Sequence, residues 1–178
     1  PAAPPPPAPP PPPPPPAPPA YDFDIDVFHP VVAHHGMVAT EQALASQIGL
    51  DILKGGGNAV DAAVAIGFAL AVALPNAGNL GGGGFMMVYN AKTGKSVALD
   101  FREMAPRAAT RDMYLDAKGN VVDGKSLYTH YAVGVPGTVA GMEHALKTSG
   151  SMPPAKAGAP AAAPPHKGQP VSKNLAKE

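Results

Sequence analysis

Residues Asn76–Pro106, NAGNLGGGGFMMVYNAKTGKSVALDFREMAP, decide how this chain folds. The four consecutive glycines, Gly81–Gly84, let backbone approach backbone or a ligand where a side chain would block it. Phe85–Tyr89 is then apolar throughout, and Ser96–Phe101 alternates less clearly. Between them Asn90–Gly94 has turn chemistry. The pattern predicts a buried β-hairpin with Arg102 at its exit.

Upstream of this stretch, Ala59–Leu74 is apolar nearly all round, which predicts a helix buried on most sides. Alanines and Gly67 keep it thin enough to pack closely on a sheet, and Pro75 stops it. Its run Ala62–Leu74 has 13 residues. A membrane span needs about 20, so a core helix is the better reading. Asn58 can cap this helix, with Asp61 in its first turn. Earlier still, Leu44, Ile48 and Ile52 fall at helical spacing, and Ala45 and Leu53 widen their face. They predict an amphipathic helix of about 14 residues, with Thr40 as N-cap, Glu41 in the first turn and Gly55–Gly57 at the end. Gly36–Ala39 is a short strand candidate, and Tyr21–Pro30 reads as an extended lead-in.

Downstream, Met104–Lys125 carries several turn signals, with Met113–Leu115 and Asn120–Val122 as short extended pieces. Pro136 and Thr138 then open a helix to about Lys147, with Val139, Met142 and Leu146 along one face.

Composition bounds what can pack. Residues 1–20 are proline and alanine only, with 15 prolines. Such a run forms polyproline II but buries no core, so residues 1–25 are expected to be disordered. The other expected segments are 26–150, the packed part, and 151–178, a poorly ordered continuation. The charge is balanced, with 13 basic and 13 acidic residues and no basic block, which argues against a nucleic-acid or anionic-membrane partner. There is no cysteine, which excludes disulfides, thiolate catalysis and cysteine-based zinc sites.

The stretches GNLGGGGFMM (78–87) and DFREMAP (100–106) resemble the γ-glutamyltransferase family, also called γ-glutamyltranspeptidases or glutathione hydrolases. HPVVAHHGMVAT (29–40), DILKGGGNAVDAAVAIGFALAV (51–72) and GVPGTVAGMEHAL (134–146) match the same family in the same order. The resemblance is clear over about Asp26–Gly150 and places the chain at the start of the family's large subunit. It implies an α/β fold: part of the αββα N-terminal-nucleophile hydrolase architecture, contributed as one hairpin and its covering helices. It implies cleavage of glutathione or another γ-glutamyl donor through a threonine acyl-enzyme, with transfer to water, an amino acid or a peptide. It also implies a precursor that cuts itself into two subunits, and a periplasmic or secreted location. No cofactor and no metal are implied.

Within this frame Arg102 is the substrate-binding candidate. The arginine of the matching family motif pairs with the α-carboxylate of the donor. A guanidinium fork binds a carboxylate bidentately, which lysine does not reproduce. Asp100 and Glu103 are expected to orient the loop or balance charge. No catalytic residue is expected in this chain, because the family's nucleophile lies in the small subunit within a Thr-Thr-His motif. In Leu127-Tyr128-Thr129-His130 a tyrosine replaces the first threonine, and the pair falls in a large-subunit segment. The chain alone is therefore expected to be inactive.

Other motifs carry less. The glycine run matches a phosphate loop almost automatically, but it precedes a strand instead of opening a helix. Gly94-Lys95-Ser96 mimics the end of a Walker loop, yet Tyr89 stands where its first glycine belongs. His29, His34 and His35 lie close in sequence, but the adjacent pair in an extended stretch would point to opposite faces. In the last 28 residues, Pro164 and Pro165 stand inside the helix that family members form, so no stable helix is expected at 158–166. That segment reads as disordered, or as a decayed or misread continuation.

Two rival readings remain open: a cephalosporin-acylase-like amidase fragment, and a non-catalytic protein whose proline run binds grooves of the SH3 type.

Overall fold

Asn58 starts the helix around which the rest packs. Its side-chain oxygen accepts hydrogen bonds from the backbone N–H groups of Val60 and Asp61 at 2.8 and 3.0 Å. Its own N–H donates to Asp61 Oδ2 at 2.8 Å, completing a capping box. In the computed structural model, which describes residues 30–158 with 168, 171 and 176, this helix is Ala59–Ala73 and is labelled α2. It follows α1 (Ala43–Lys54) and precedes a hairpin of β1 (Phe85–Asn90) and β2 (Lys95–Asp100). The short helix α3 (Lys125–Tyr128), a 3₁₀ turn (His130–Ala132) and α4 (Thr138–Ser149) complete the order.

The chain divides into two units, 1–34 and 35–178. Of the first, only residues 30–34 are described; they are exposed and form neither helix nor strand. The proline run and nearly all of the expected lead-in lie outside the described residues. All the named elements belong to the second unit.

Helix α2 is buried on two sides because it sits between two clusters. Ala62, Ala65 and Ala69 meet Ala45, Ile48 and Ile52 of α1. Val60 and Val64 meet Met142, Ala145 and Leu146 of α4, together with Met86, Val88 and Leu99 of the hairpin. Small residues allow both contacts. Gly49 of α1 faces the Ile66 side chain, and Gly67 of α2 faces Met142.

Several expectations need correction. Thr40 is not the cap of α1; Gln42 occupies that position, without a side-chain cap bond. Thr40 instead turns on its own backbone, with its hydroxyl donating to the Gln42 carbonyl at 2.8 Å and accepting from the Gln42 N–H at 3.2 Å. Glu41 therefore lies outside the helix. Gly36–Ala39 forms no strand, because among the described residues no neighbouring strand pairs with it. Leu44 and Val139 sit at the margins of their helices and stay partly in solvent.

The hairpin is antiparallel, with Phe85 opposite Asp100 and Asn90 opposite Lys95. Asn90 caps its turn by accepting from Lys92 N–H at 3.0 Å, and Gly94 closes it at φ +65°. It was expected to be buried, but only one face is. Met86, Val88 and Leu99 meet the helices, while Phe85, Met87 and Tyr89 on the other face are exposed. Strand alternation places these sets on opposite faces, and nothing among the described residues covers the second. Leu115 and Val121, in the two expected extended pieces, pair as a single bridge.

The core continues past the boundary expected at residue 150. Ala157 is fully buried in the α4 cluster, Met152 packs on the α1 cluster, and residues 154–158 are helical. Asp61 fastens this continuation. Its buried carboxylate accepts from Ser151 N–H at 3.0 Å, Ser151 Oγ at 2.5 Å and Met152 N–H at 3.1 Å. Of the segment expected to exclude a helix, 159–166 lies outside the described residues.

Candidate functional site

The exit of β2 is held from four directions. Phe101 N–H extends the ladder to the Gly84 carbonyl at 3.0 Å. Arg102 N–H donates to Asp100 Oδ1 at 3.1 Å, so Asp100 orients the turn. Met104 and Val135 exchange backbone hydrogen bonds at 3.4 and 2.8 Å. The Gly82 carbonyl accepts from Gly137 and Thr138 N–H at 2.9 and 3.1 Å. The glycine loop thus presents a carbonyl to the start of α4. A phosphate cradle would present N–H groups instead.

The glycines here supply room. Phe101 packs on Gly141 and Gly84, and a Cβ on Gly137 would strike the Phe101 carbonyl. Gly137 has φ −115°, which alanine also adopts, so only space forbids a side chain there. Gly137→Ala is expected to lower stability by about 2–3 kcal/mol through overpacking against backbone. Urea unfolding followed by circular dichroism checks this; an unchanged midpoint would contradict it.

Arg102 opens into a cavity of about 650 Å³, lined also by Leu99, Glu103, Val135 and His144. Its side chain is 66% exposed, and Nε lies 3.9 Å from Glu103 Oε1. That separation exceeds a hydrogen bond, and no described residue holds the guanidinium more closely. The fork is available to a carboxylate ligand. His144 reaches the same cavity from α4, one turn beyond Gly141. No local pattern in the sequence marked it, because its place depends on α4 docking beside β2.

Thr129 is committed elsewhere. Its hydroxyl donates to the Lys125 carbonyl at 2.6 Å and accepts from Tyr131 N–H at 3.3 Å, capping the 3₁₀ turn. His34 and His35 are exposed, and His29 lies outside the described residues. No group of three or more potential metal-ligating side chains occurs among the described residues.

The γ-glutamyltranspeptidase family model matches residues 45–178, more than half of the chain. This chain belongs to the γ-glutamyltranspeptidase family. A glutathione hydrolase proenzyme of Escherichia coli K12 is 61% identical over 134 residues, covering 75% of this chain and 23% of that protein. A glutathione hydrolase proenzyme of Pseudomonas sp. strain A14 is 58% identical over 122 residues, 68% of this chain and 21% of that protein. The γ-glutamyltranspeptidase of Helicobacter pylori superposes with a TM-score of 0.80 at 49% identity, covering 83% of this chain and 42% of that chain. A cephalosporin acylase from Bacillus halodurans is also similar in structure, with a TM-score of 0.68 at 34% identity, covering 88% of this chain and 30% of that chain. The chain thus spans about a fifth to a quarter of the length of the curated relatives it matches. Its fold is α/β, a partial αββα N-terminal-nucleophile hydrolase fold.

Proposed function

We propose that this chain is the start of the large subunit of an enzyme that hydrolyses glutathione. The enzyme would transfer γ-glutamyl groups to water, amino acids or peptides. The observation that carries the reading is Arg102: an unclaimed guanidinium at the wall of a cavity, inside the family's DFREMAP motif. It takes the α-carboxylate of the donor through paired charge-assisted hydrogen bonds. The reacting threonine lies outside the chain. Thr129 is no substitute, because it is mid-chain, lacks the free α-amine that acts as base, and spends its hydroxyl on a turn.

The exposed apolar face of Phe85, Met87 and Tyr89 supports a missing partner, the small subunit of the same precursor. A periplasmic or secreted location rests on the family resemblance. Among the described residues no helix is long and apolar enough to cross a membrane. The higher identity to γ-glutamyltranspeptidases than to the cephalosporin acylase favours a γ-glutamyl donor.

Intact mass and γ-glutamyl-p-nitroanilide turnover, measured on one sample, test the reading. The 178-residue species is expected to show no turnover, and the same chain fused to the complementary part of the Escherichia coli relative is expected to show it. Turnover by the 178-residue species itself would refute the claim that the nucleophile lies elsewhere.

A further inference from the structure

The turn end of the hairpin, away from Arg102, borders a cavity of about 550 Å³. Val60, Val88 and Val97 supply its apolar floor, and Lys92, Lys95 and Ser149 stand in its polar lining. It shares no lining residue with the Arg102 cavity. Val97 pairs with Val88, and Leu99 and Val88 pack on the helices. Strand alternation puts Lys95 on the same side of β2 as Val97 and Leu99. Lys95 therefore projects from the face that borders the cavity.

The other polar side chains of this wall are spent inside the chain. Asn58 accepts from Val60 and Asp61 N–H and donates to the Ser149 carbonyl at 2.8 Å. Asn90 accepts from Lys92 and Thr93 N–H at 3.0 and 3.3 Å. Thr148 O–H donates to the His144 carbonyl at 2.8 Å. Because Asn58 caps the first turn of α2, the helix end is not the anchor. Lys92 and Lys95 make no salt bridge among the described residues. No acidic residue lines the cavity either. A lysine stem lies along an apolar wall while its ammonium stays at the wet mouth. The result is an apolar floor under two positive charges with no counter-charge in the lining, which attracts an anion.

We propose that this cavity binds a small organic phosphate monoester with an aryl or short alkyl body. Such a head group carries about −1.5 to −2 charges at pH 7, which complements two ammonium groups. Lysines hold phosphate as point charges, and the valines take the apolar body. The cavity volume lies in the range of small-molecule sites. The inference does not rest on the γ-glutamyl reading.

Calorimetric titration of the 178-residue chain with phenyl phosphate tests it. Saturable binding is expected, weakened about tenfold or more by Lys92→Ala combined with Lys95→Ala. Val97→Trp fills the floor, leaves both lysines and suits a strand, so it should weaken binding about as much. Arg102→Ala should change it less than about twofold, because that residue lines the other cavity. Inorganic phosphate lacks the apolar body and should bind about fivefold or more weakly. Absence of saturable phenyl phosphate binding overturns the proposal. So does inorganic phosphate binding as tightly as phenyl phosphate, which would mean an adventitious ion only. Binding that survives loss of both lysines, or that disappears with Arg102→Ala, also overturns it. Should Val97→Trp fail to fold, the lysine pair decides, since both residues are exposed at the hairpin turn.

Discussion

Arg102→Lys should lower kcat/KM for γ-glutamyl-p-nitroanilide by about 10²-fold, and Arg102→Ala by about 10³-fold, in the chain fused to the complementary part of the Escherichia coli relative. Two charge-assisted hydrogen bonds to a carboxylate contribute about 1.5–3 kcal/mol each. Losing both costs about 4 kcal/mol, and about 1.4 kcal/mol corresponds to a factor of ten. Lysine restores a point charge but not the planar fork, so it should recover roughly one of the three decades. The α-carboxylate is held in the ground state and the transition state alike, so the loss should fall mainly on KM. Steady-state kinetics with both variants check this. A kcat/KM within twofold of the parent for Arg102→Ala would remove Arg102 from the donor site. The protein environment makes the prediction sharp, because Arg102 has no close competing partner among the described residues: its Glu103 contact is 3.9 Å long.

Asp61→Ala is expected to cost about 3–4 kcal/mol of stability, visible as a fall of roughly 10 °C in Tm. The substitution removes the reciprocal half of the α2 capping box and leaves the backbone N–H groups of Ser151 and Met152 without their acceptor. The same carboxylate makes stability depend on pH. Burial alone would raise the Asp61 pKa. The hydrogen bonds from the Ser151 side chain and from the backbone of Asn58, Met152 and Ser151 outweigh it and hold the group below its ordinary value of 3.8. A depressed folded-state pKa means that the unfolded chain binds the proton more tightly. The Asp61 contribution is therefore complete well above pH 3.8 and is lost as pH falls through that value towards the lower folded one. Thermal melts at pH 7 and pH 3 should show a smaller gap between parent and Asp61→Asn at the lower pH. An equal gap at both would show that the carboxylate charge contributes nothing.

Much of the architecture was legible one element at a time. Ile48 and Ile52 face the core as their spacing requires, and Asn58 and Asp61 cap α2 as their types and separation imply. Gly94 closes the hairpin turn, and α2 ends before Pro75. The errors came where a residue had a choice of partners. Thr40 had the chemistry of a cap but spent it on a local turn. The hairpin was apolar on both faces, and its composition did not reveal that only Met86, Val88 and Leu99 meet the helices of this chain. Of the candidate site, the motif singled out Arg102, and the structure places it in a cavity wall. His144, 42 residues away, was not singled out, because its place in the same cavity depends on α4 docking beside β2.

The sequence by itself determined where α2 begins and ends, where the hairpin turns, which side of α1 is apolar, and which arginine to suspect. Those properties depend on residues within about one helical turn or one hairpin of each other. Only the tertiary structure decided that Asp61 holds Ser151 from 90 residues away, that His144 lines the Arg102 cavity, and that Phe85, Met87 and Tyr89 face outward. These arise from packing between distant segments, where hydrogen-bond partners and free volume are set by the docking of whole elements and not by local pattern.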